Sequence, residues 1–177
     1  HDAKLQQLKA LLETDLRGRK VIIFTYYKDT ARYLYQVLIN DENKLWRERL
    51  GNPHIRRIDS NIQTTDRARI IVNFAPVANG YPDIVGTDRE VDILMSTDVL
   101  SEGQNLQDCG YLINYDLHWN PTRMVQRAGR IDRLGSSFDS LHIYNMFPER
   151  ALEDLLGLVR SLTAKIEVIN QTGFLDA

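Results

Sequence analysis

Short apolar runs alternate along the chain with longer segments in which apolar residues recur every three or four positions. The short runs are rich in β-branched residues and predict buried strands at residues 20–25, 55–59, 91–96, 111–114 and 141–145. The longer segments predict helices between them. Strands that alternate with helices are typical of β-α-β units, so the sequence predicts an α/β fold with a mainly parallel sheet flanked by helices.

Helical periodicity predicts segments at 2–16, 29–40, 65–74 and 120–134. The last of these has signals at both ends, with Asn120 as N-cap, Pro121 at the first helical position and Gly135 as the stop. Residues 41–53 and 76–90 are rich in polar residues, Gly and Pro and predict loops. Apolar positions at helical spacing continue after Pro148. We therefore expect a main lobe at 1–147 and a helical extension at 148–177 packed on it.

Composition limits the classes of function. A chain of 177 residues with 43% hydrophobic residues suits one domain with a sizeable core. The net charge of −2 argues against binding of nucleic acid by bulk charge, although it leaves room for a local basic face. No apolar run is long enough to cross a bilayer. The chain starts with His1 rather than Met, which favours a piece of a longer protein.

The single cysteine, Cys109, excludes a disulfide within the chain and fits a reducing cytoplasm. The four histidines show no metal-ligand spacing, so no metal site is predicted. Tyr26 and Tyr27 follow the first strand and can stack on bases, but packing roles are the more common ones for aromatic residues in this position.

The densest chemical signal lies in residues 123–133 of the predicted fourth helix. Five polar residues share about a third of its circumference, whereas the opposite side is apolar and should pack on the sheet; the polar set is Arg123, Gln126, Arg127, Arg130 and Arg133. Arginine forks suit phosphate oxygens, so a polyanion partner would explain the cluster. A solvated basic helix face explains it about equally well when the cluster is taken alone.

Four motifs in order resemble those of superfamily 2 helicases. Segment 126–133 has the pattern Gln-Arg-x-Gly-Arg-x-x-Arg of motif VI, segment 96–107 resembles motif V, and segment 21–26 resembles motif IV. Residues 58–74 resemble the stretch between motifs IV and V. The resemblance covers about residues 2–150 and is closest to the Swi/Snf-type branch, in particular the bacterial RNA-polymerase-associated ATPase and related bacterial helicase-like proteins.

This resemblance implies a C-terminal, second RecA-like motor lobe, which is a three-layer sandwich with a mainly parallel sheet. It assigns Arg130 and Arg133 as arginine fingers that reach the γ-phosphate of ATP across the cleft between two lobes. Gln126 matches the position that couples nucleotide state to the lobes. Gly103 and Asn105 match nucleotide-binding positions of motif V, where Gly103 lets the backbone approach a ligand.

The same resemblance places Thr25, Ser96 and Thr97 against the backbone of the bound nucleic-acid strand. Strand-end hydrogen bonding is an equally good explanation for Thr25.

Two further polar residues have structural alternatives. Arg127 is as readily a salt-bridge partner of Asp116 or Asp132 as a functional residue. Asp98 is more readily a cap of the short helix after the third strand than a ligand.

The chain lacks the Gly-Lys-Ser/Thr loop and the acidic pair that hold ATP and Mg²⁺. We therefore expect a first lobe to hold these cofactors, and we expect the chain alone to be inactive. The expected partners are that first lobe, DNA (RNA being possible) and a protein complex bound to DNA, with no membrane. The predicted location is the cytoplasm, at a bacterial nucleoid. A binding module that has lost catalysis is the alternative, and an unrelated α/β enzyme would have to match the motifs by chance.

Overall fold

The computed structural model describes residues 2–100, 105–116, 121–129, 131, 138, 140–147 and 157. All five predicted strands are present, each four residues long: β1 (Val21–Phe24), β2 (Ile55–Ile58), β3 (Ile93–Ser96), β4 (Tyr111–Asn114) and β5 (His142–Asn145). Their near-continuous apolar sequence is what a strand covered on both faces requires.

The described helices are α1 (Ala3–Glu13), α2 (Lys28–Ile39), α3 (Lys44–Arg49), α4 (Thr64–Phe74) and α5 (Pro121–Gly129). Two 3₁₀ turns, Asp41–Asn43 and Pro82–Ile84, lie in the predicted loops.

The prediction of a loop at 41–53 is wrong where α3 stands. Trp46 anchors this short helix by burying its indole at 3% exposure in the core against which α1 and α2 also pack. The described part of the predicted fourth helix ends at Gly129, and Ile131 lies in a turn. The N-cap Asn120 and the terminal extension lie outside the described residues, apart from Gly157.

The sheet is entirely parallel, with strand order β2-β3-β1-β4-β5. Its register aligns the carboxyl ends of the strands: Phe24 lies beside both Ser96 and Asn114, Ile58 beside Ser96, and Asn114 beside Asn145. Residues that follow these strands therefore converge on one edge, which is where open α/β sheets bind ligands.

Alternation along β1 divides the interior into two cores. Val21 and Ile23 pack in a cluster with leucines of α1 and α2, whereas Ile22 and Phe24 pack with residues of α4 and with Ile131. Helices thus cover both faces of the sheet, which confirms the predicted RecA-like three-layer sandwich. Among the described helices, none is both long and apolar enough to span a bilayer.

An ion pair lies at the other end of the sheet, where the strands begin. Lys20 Nζ lies 2.6 Å from Glu90 Oε1 and donates to the carbonyl of Phe74 at 2.7 Å. Lys20 therefore holds the 75–90 loop against the start of β1.

Candidate functional site

An open cleft of about 440 Å³ lies at the carboxyl edge of the sheet. Its walls come from the connections that follow β1, β2 and β3 and from helix α5; the lining residues are Tyr26, Tyr27, Lys28, Ser60, Thr97, Asp98, Val99 and Arg123. The aligned strand ends explain how segments distant in sequence meet here. The cleft combines hydroxyl groups with two cationic side chains, Lys28 and Arg123, which is a chemistry suited to a phosphodiester.

The three hydroxyl residues predicted to contact nucleic acid differ in this structure. The Thr25 and Ser96 side chains are fully buried and donate hydrogen bonds to main-chain carbonyls, Thr25 to Tyr27 at 3.1 Å and Ser96 to Thr97 at 2.8 Å. These two hydroxyls shape the strand ends and do not face the cleft as free donors. Of the three, Thr97 lines the cleft.

Thr97 is 5% exposed, and its hydroxyl makes no hydrogen bond to any residue that the structure describes. Its backbone N–H donates to the carbonyl of Ile58 at 3.3 Å, which fixes the residue between β2 and β3. The Thr97 hydroxyl is not among the described polar atoms that are buried without a partner, so it reaches solvent at the cleft and is available to a ligand there.

The start of α2 lies at the same cleft. This helix is 12 residues long, and its N-cap, Tyr27, makes no side-chain capping bond. The N-terminal N–H groups of a helix and its macrodipole favour an anion. Lys28, exposed at the first helical position, adds a full positive charge.

Tyr26 and Tyr27 are more exposed than the packing interpretation predicted. Tyr27 is 63% exposed, and its ring meets that of Tyr26 edge to face with centroids 4.7 Å apart. The Tyr26 main-chain N–H donates to Asp116 Oδ2 at 3.3 Å. Both rings are thus presented at the cleft rather than packed in the core.

Arg127 corrects the predicted basic face of α5, because it points into the lobe at 1% exposure while Arg123 and Gln126 remain exposed. Its Nε lies 2.7 Å from Asp98 Oδ1, and its Nη2 lies 3.2 Å from Asp98 Oδ2. Its partner is thus Asp98 in place of the predicted Asp116 or Asp132.

The remaining contacts of Arg127 tie α5 to the sheet. Its Nη1 donates to Asn114 Oδ1 at 2.8 Å, and its guanidinium carbon lies 5.0 Å from the Phe24 ring centroid. Asn114 in turn donates to Asn145 Oδ1 at 2.9 Å, which extends the network to β5. Sequence analysis missed the two asparagines; the available signal was an amide residue at the end of an otherwise apolar strand.

Asp98 holds a second arginine, since its Oδ2 also accepts from Arg123 Nη1 at 3.2 Å. Burial alone would raise the pKa of the Asp98 carboxyl, but the hydrogen bonds and charges of Arg127, and then of Arg123, hold that pKa below its ordinary value. Asp98 is therefore an anion bridging β3 and α5. The segment after β3 that Asp98 was predicted to cap includes residues 101–104, which lie outside the described residues.

The predicted nucleotide-binding residues are only partly described. Asn105 donates from its amide to the carbonyl of Ala78 at 3.1 Å, and its own carbonyl accepts from Asn79 at 3.0 Å. These bonds fix the end of the segment that resembles motif V to the 75–80 loop. Gln126 is exposed on α5. Gly103, Arg130 and Arg133 lie outside the described residues.

The described residues show neither a group placed to bind a metal ion nor a reactive thiol. The described residues contain no group of three or more His, Cys, Asp or Glu side chains placed to hold a metal ion. Cys109 is buried, and burial raises the pKa of its thiol to about 12. It is thus a small packing residue and not a nucleophile at neutral pH.

Comparison with known sequences matches residues 3–135 to the helicase conserved C-terminal domain family. The chain is 43% identical to the uncharacterized ATP-dependent helicase YqhH of Bacillus subtilis (strain 168) over 88 residues. This stretch covers 49% of this chain and 15% of that protein. Over 157 residues it is 31% identical to the RNA polymerase-associated protein RapA of Sodalis glossinidius (strain morsitans), covering 88% of this chain and 14% of that protein. The chain thus spans about a seventh of the length of these relatives.

Two solved structures share the fold. The C-terminal part of the Fun30 ATPase domain superposes with a TM-score of 0.63 at 23% identity, covering 87% of this chain and 43% of that chain. Domain 2 of the DEAD-box helicase Mss116p, bound to an RNA duplex, gives a TM-score of 0.60 at 19% identity, covering 90% of this chain and 52% of that chain.

Proposed function

Because the chain belongs to the helicase conserved C-terminal domain family, we propose that it is the second motor lobe of an ATP-dependent translocase that moves along nucleic acid, with duplex DNA as the preferred track. The Swi/Snf-like sequence of its motifs favours movement along duplex DNA over strand separation. The lobe would alternate between closed and open positions against a first lobe, and each cycle would shift its hold on one strand.

The observation that carries the nucleic-acid assignment is the cleft at the sheet edge. Thr97 offers a hydroxyl that has no partner among the described residues, α2 offers an uncapped N-terminus, and Lys28 offers a positive charge. These groups are the hydroxyl, main-chain and cationic donors that proteins use on phosphate oxygens. None of them reads a base, so the proposed contact is to the sugar-phosphate backbone and is independent of sequence.

Hydrolysis is proposed to take place at the boundary with a first lobe, which would hold ATP and Mg²⁺. Arg130 and Arg133 would stabilise the charge that develops on the γ-phosphate, a contribution worth roughly a thousand-fold or more in rate. Gln126 is exposed on α5, on the segment that leads to both arginines, and Gly103 is proposed to face the nucleotide. Asn105 is left out of this proposal, because its side-chain amide donates to the Ala78 carbonyl.

The proposed partners are the first lobe and DNA. A relative named as RNA polymerase-associated favours, in addition, action on a protein complex that is itself bound to DNA. A cytoplasmic, nucleoid-associated location follows from these partners.

The division of labour between lobes is tested by comparing ATP hydrolysis by this chain alone with hydrolysis by the full-length protein. We expect no phosphate release from the chain alone in ATP and Mg²⁺, and turnover stimulated by duplex DNA from the full-length protein. Turnover by the chain alone, above that of a heat-denatured control, would contradict a single-lobe assignment.

A further inference from the structure

We propose that Arg123 is an exchangeable phosphate ligand: it leaves Asp98 for a nucleic-acid phosphate in the cleft and thereby links occupancy of the cleft to helix α5. This inference rests on the proposed function, in that the cleft is taken to bind the backbone of nucleic acid. It adds a contact residue and a route from that contact to the helix that precedes the proposed arginine fingers.

The two arginines on Asp98 are held unequally. Arg127 makes two contacts to the carboxylate, a third to Asn114, and is fully buried. Arg123 makes one contact, at 3.2 Å, and 45% of its side chain is exposed. A single, partly exposed ion pair adds little stability and exchanges readily, whereas a buried fork with all of its partners does not.

The electrostatics of the cleft favour this exchange. Its described charged lining residues are Lys28, Arg123 and Asp98. The buried Arg127 already neutralises the charge of Asp98. The positive charge of Arg123 is therefore not needed to balance Asp98 and is available to a ligand in the cleft. A phosphate that recruits Arg123 therefore leaves no unpaired carboxylate behind.

The exchange would act on a helix that is anchored one turn further along. Arg127 lies four residues after Arg123 on α5 and holds that turn to β3 and β4. A phosphate bound by Arg123 would therefore bias the orientation of α5 while Arg127 keeps the helix on the lobe. Since the chain continues from α5 directly to Arg130, the presence of a nucleic-acid strand would be passed to the proposed finger.

The test uses the full-length protein, a 30-base-pair duplex DNA as probe, and three variants. Arg123→Gln removes the charge, Arg123→Lys keeps it, and Arg49→Gln is the matched control. Arg49 is also an exposed arginine in a single ion pair, to Glu13, but it does not line the cleft. Duplex affinity is measured against salt concentration, and ATP hydrolysis is measured against DNA concentration.

Affinity for DNA falls as salt rises, and we expect Arg123→Gln to make the plot of log affinity against log salt less steep by about 0.9, the value for one phosphate contact. If the parent and the variant bind equally at 1 M salt, this change corresponds to roughly eightfold weaker binding by the variant at 0.1 M salt. We also expect a lower maximal stimulation of hydrolysis at saturating DNA. Arg123→Lys should retain the slope, and Arg49→Gln should match the parent in both assays.

Each of the other outcomes contradicts a different part of the proposal. A slope and a maximum for Arg123→Gln equal to those of Arg49→Gln would overturn the inference while leaving the proposed function intact. A lower slope with full maximal stimulation would overturn the link to α5. A parent protein that neither binds duplex DNA nor responds to it would overturn the proposed function and this inference together.

Discussion

Arg127 on α5 and Asp98 after β3 form a two-point ion pair, with Nε 2.7 Å from Oδ1 and Nη2 3.2 Å from Oδ2, although 29 residues separate them in sequence. The arginine is 1% exposed. The pair joins the turn that lines the cleft to helix α5. It therefore links the segment that resembles motif V to the segment that resembles motif VI.

Replacing Arg127 should be strongly destabilising. Arg127→Met removes the charge and leaves the Asp98 carboxylate and the Asn114 carbonyl without their buried donor, which should lower the free energy of unfolding by about 3–5 kcal/mol. Urea denaturation of the chain measures this. Arg69→Met is the matched control, because Arg69 is an exposed arginine paired with Asp66 on α4, and it should cost at most about 1 kcal/mol. Equal stability of the two variants would show that the buried pair contributes little.

The Asp98 carboxylate should make stability depend on pH in the acid range. Its folded-state pKa lies below the ordinary value of 3.8, so the unfolded chain binds the proton more tightly. The stabilisation is therefore complete above the ordinary pKa and is lost as the pH falls through the folded-state value. We expect the difference in unfolding free energy between the parent and Asp98→Asn to be largest near pH 6 and to shrink toward pH 3. A difference that is constant with pH would mean that Asp98 is not held as a stabilised anion.

Thr97 and Thr25 should respond in opposite ways to the same change. Thr97→Val removes a hydroxyl that has no partner within the described chain, so stability should change little while duplex DNA affinity falls. Thr25→Val leaves the Tyr27 carbonyl without its donor and should cost about 1–3 kcal/mol of unfolding free energy.

Urea denaturation of the two valine variants and DNA binding by the full-length protein decide between these roles. Thr97→Ser, which keeps the hydroxyl, should bind DNA as the parent does. Loss of stability in Thr97→Val together with unchanged DNA affinity would assign Thr97 a structural role instead.

Cys109 should be unreactive in the folded chain. Its thiol is buried and its pKa is raised to about 12, so almost no thiolate is present at pH 8. A disulfide reagent such as Ellman's reagent should label it at the rate of unfolding, and labelling should accelerate in urea in step with loss of structure. Labelling at the rate of a free thiol in native buffer would place Cys109 at the surface.

Local patterns predicted the strands and the fold because a strand buried on both faces needs a continuous apolar run. The same patterns failed where long-range contacts decide the structure. Helix α3 is polar apart from Trp46 and the exposed Leu45, and its burial depends on a core built by α1 and α2. Arg127 was placed on the polar face because periodicity counts every arginine as polar, whereas its buried position depends on Asp98 and Asn114.

Motif spacing also does not decide which hydroxyl at the strand ends is available to a ligand. Thr25, Ser96 and Thr97 each follow or end a strand, and only their neighbours decide which hydroxyl has a partner. Carbonyls within two residues accept from Thr25 and Ser96, and no described residue does so for Thr97. Such choices depend on side-chain rotamers and turn geometry, which motif spacing does not specify.

The most direct test of the motor-lobe assignment is the DNA-stimulated ATPase activity of the full-length protein beside its Arg130→Ala and Arg133→Ala variants, with Arg69→Ala as control. We expect duplex DNA to stimulate hydrolysis in the parent and in the control. We expect both finger variants to lose activity by roughly a thousand-fold or more at unchanged thermal stability. A parent that hydrolyses no ATP with any nucleic acid, or finger variants as active as the parent, would contradict this assignment.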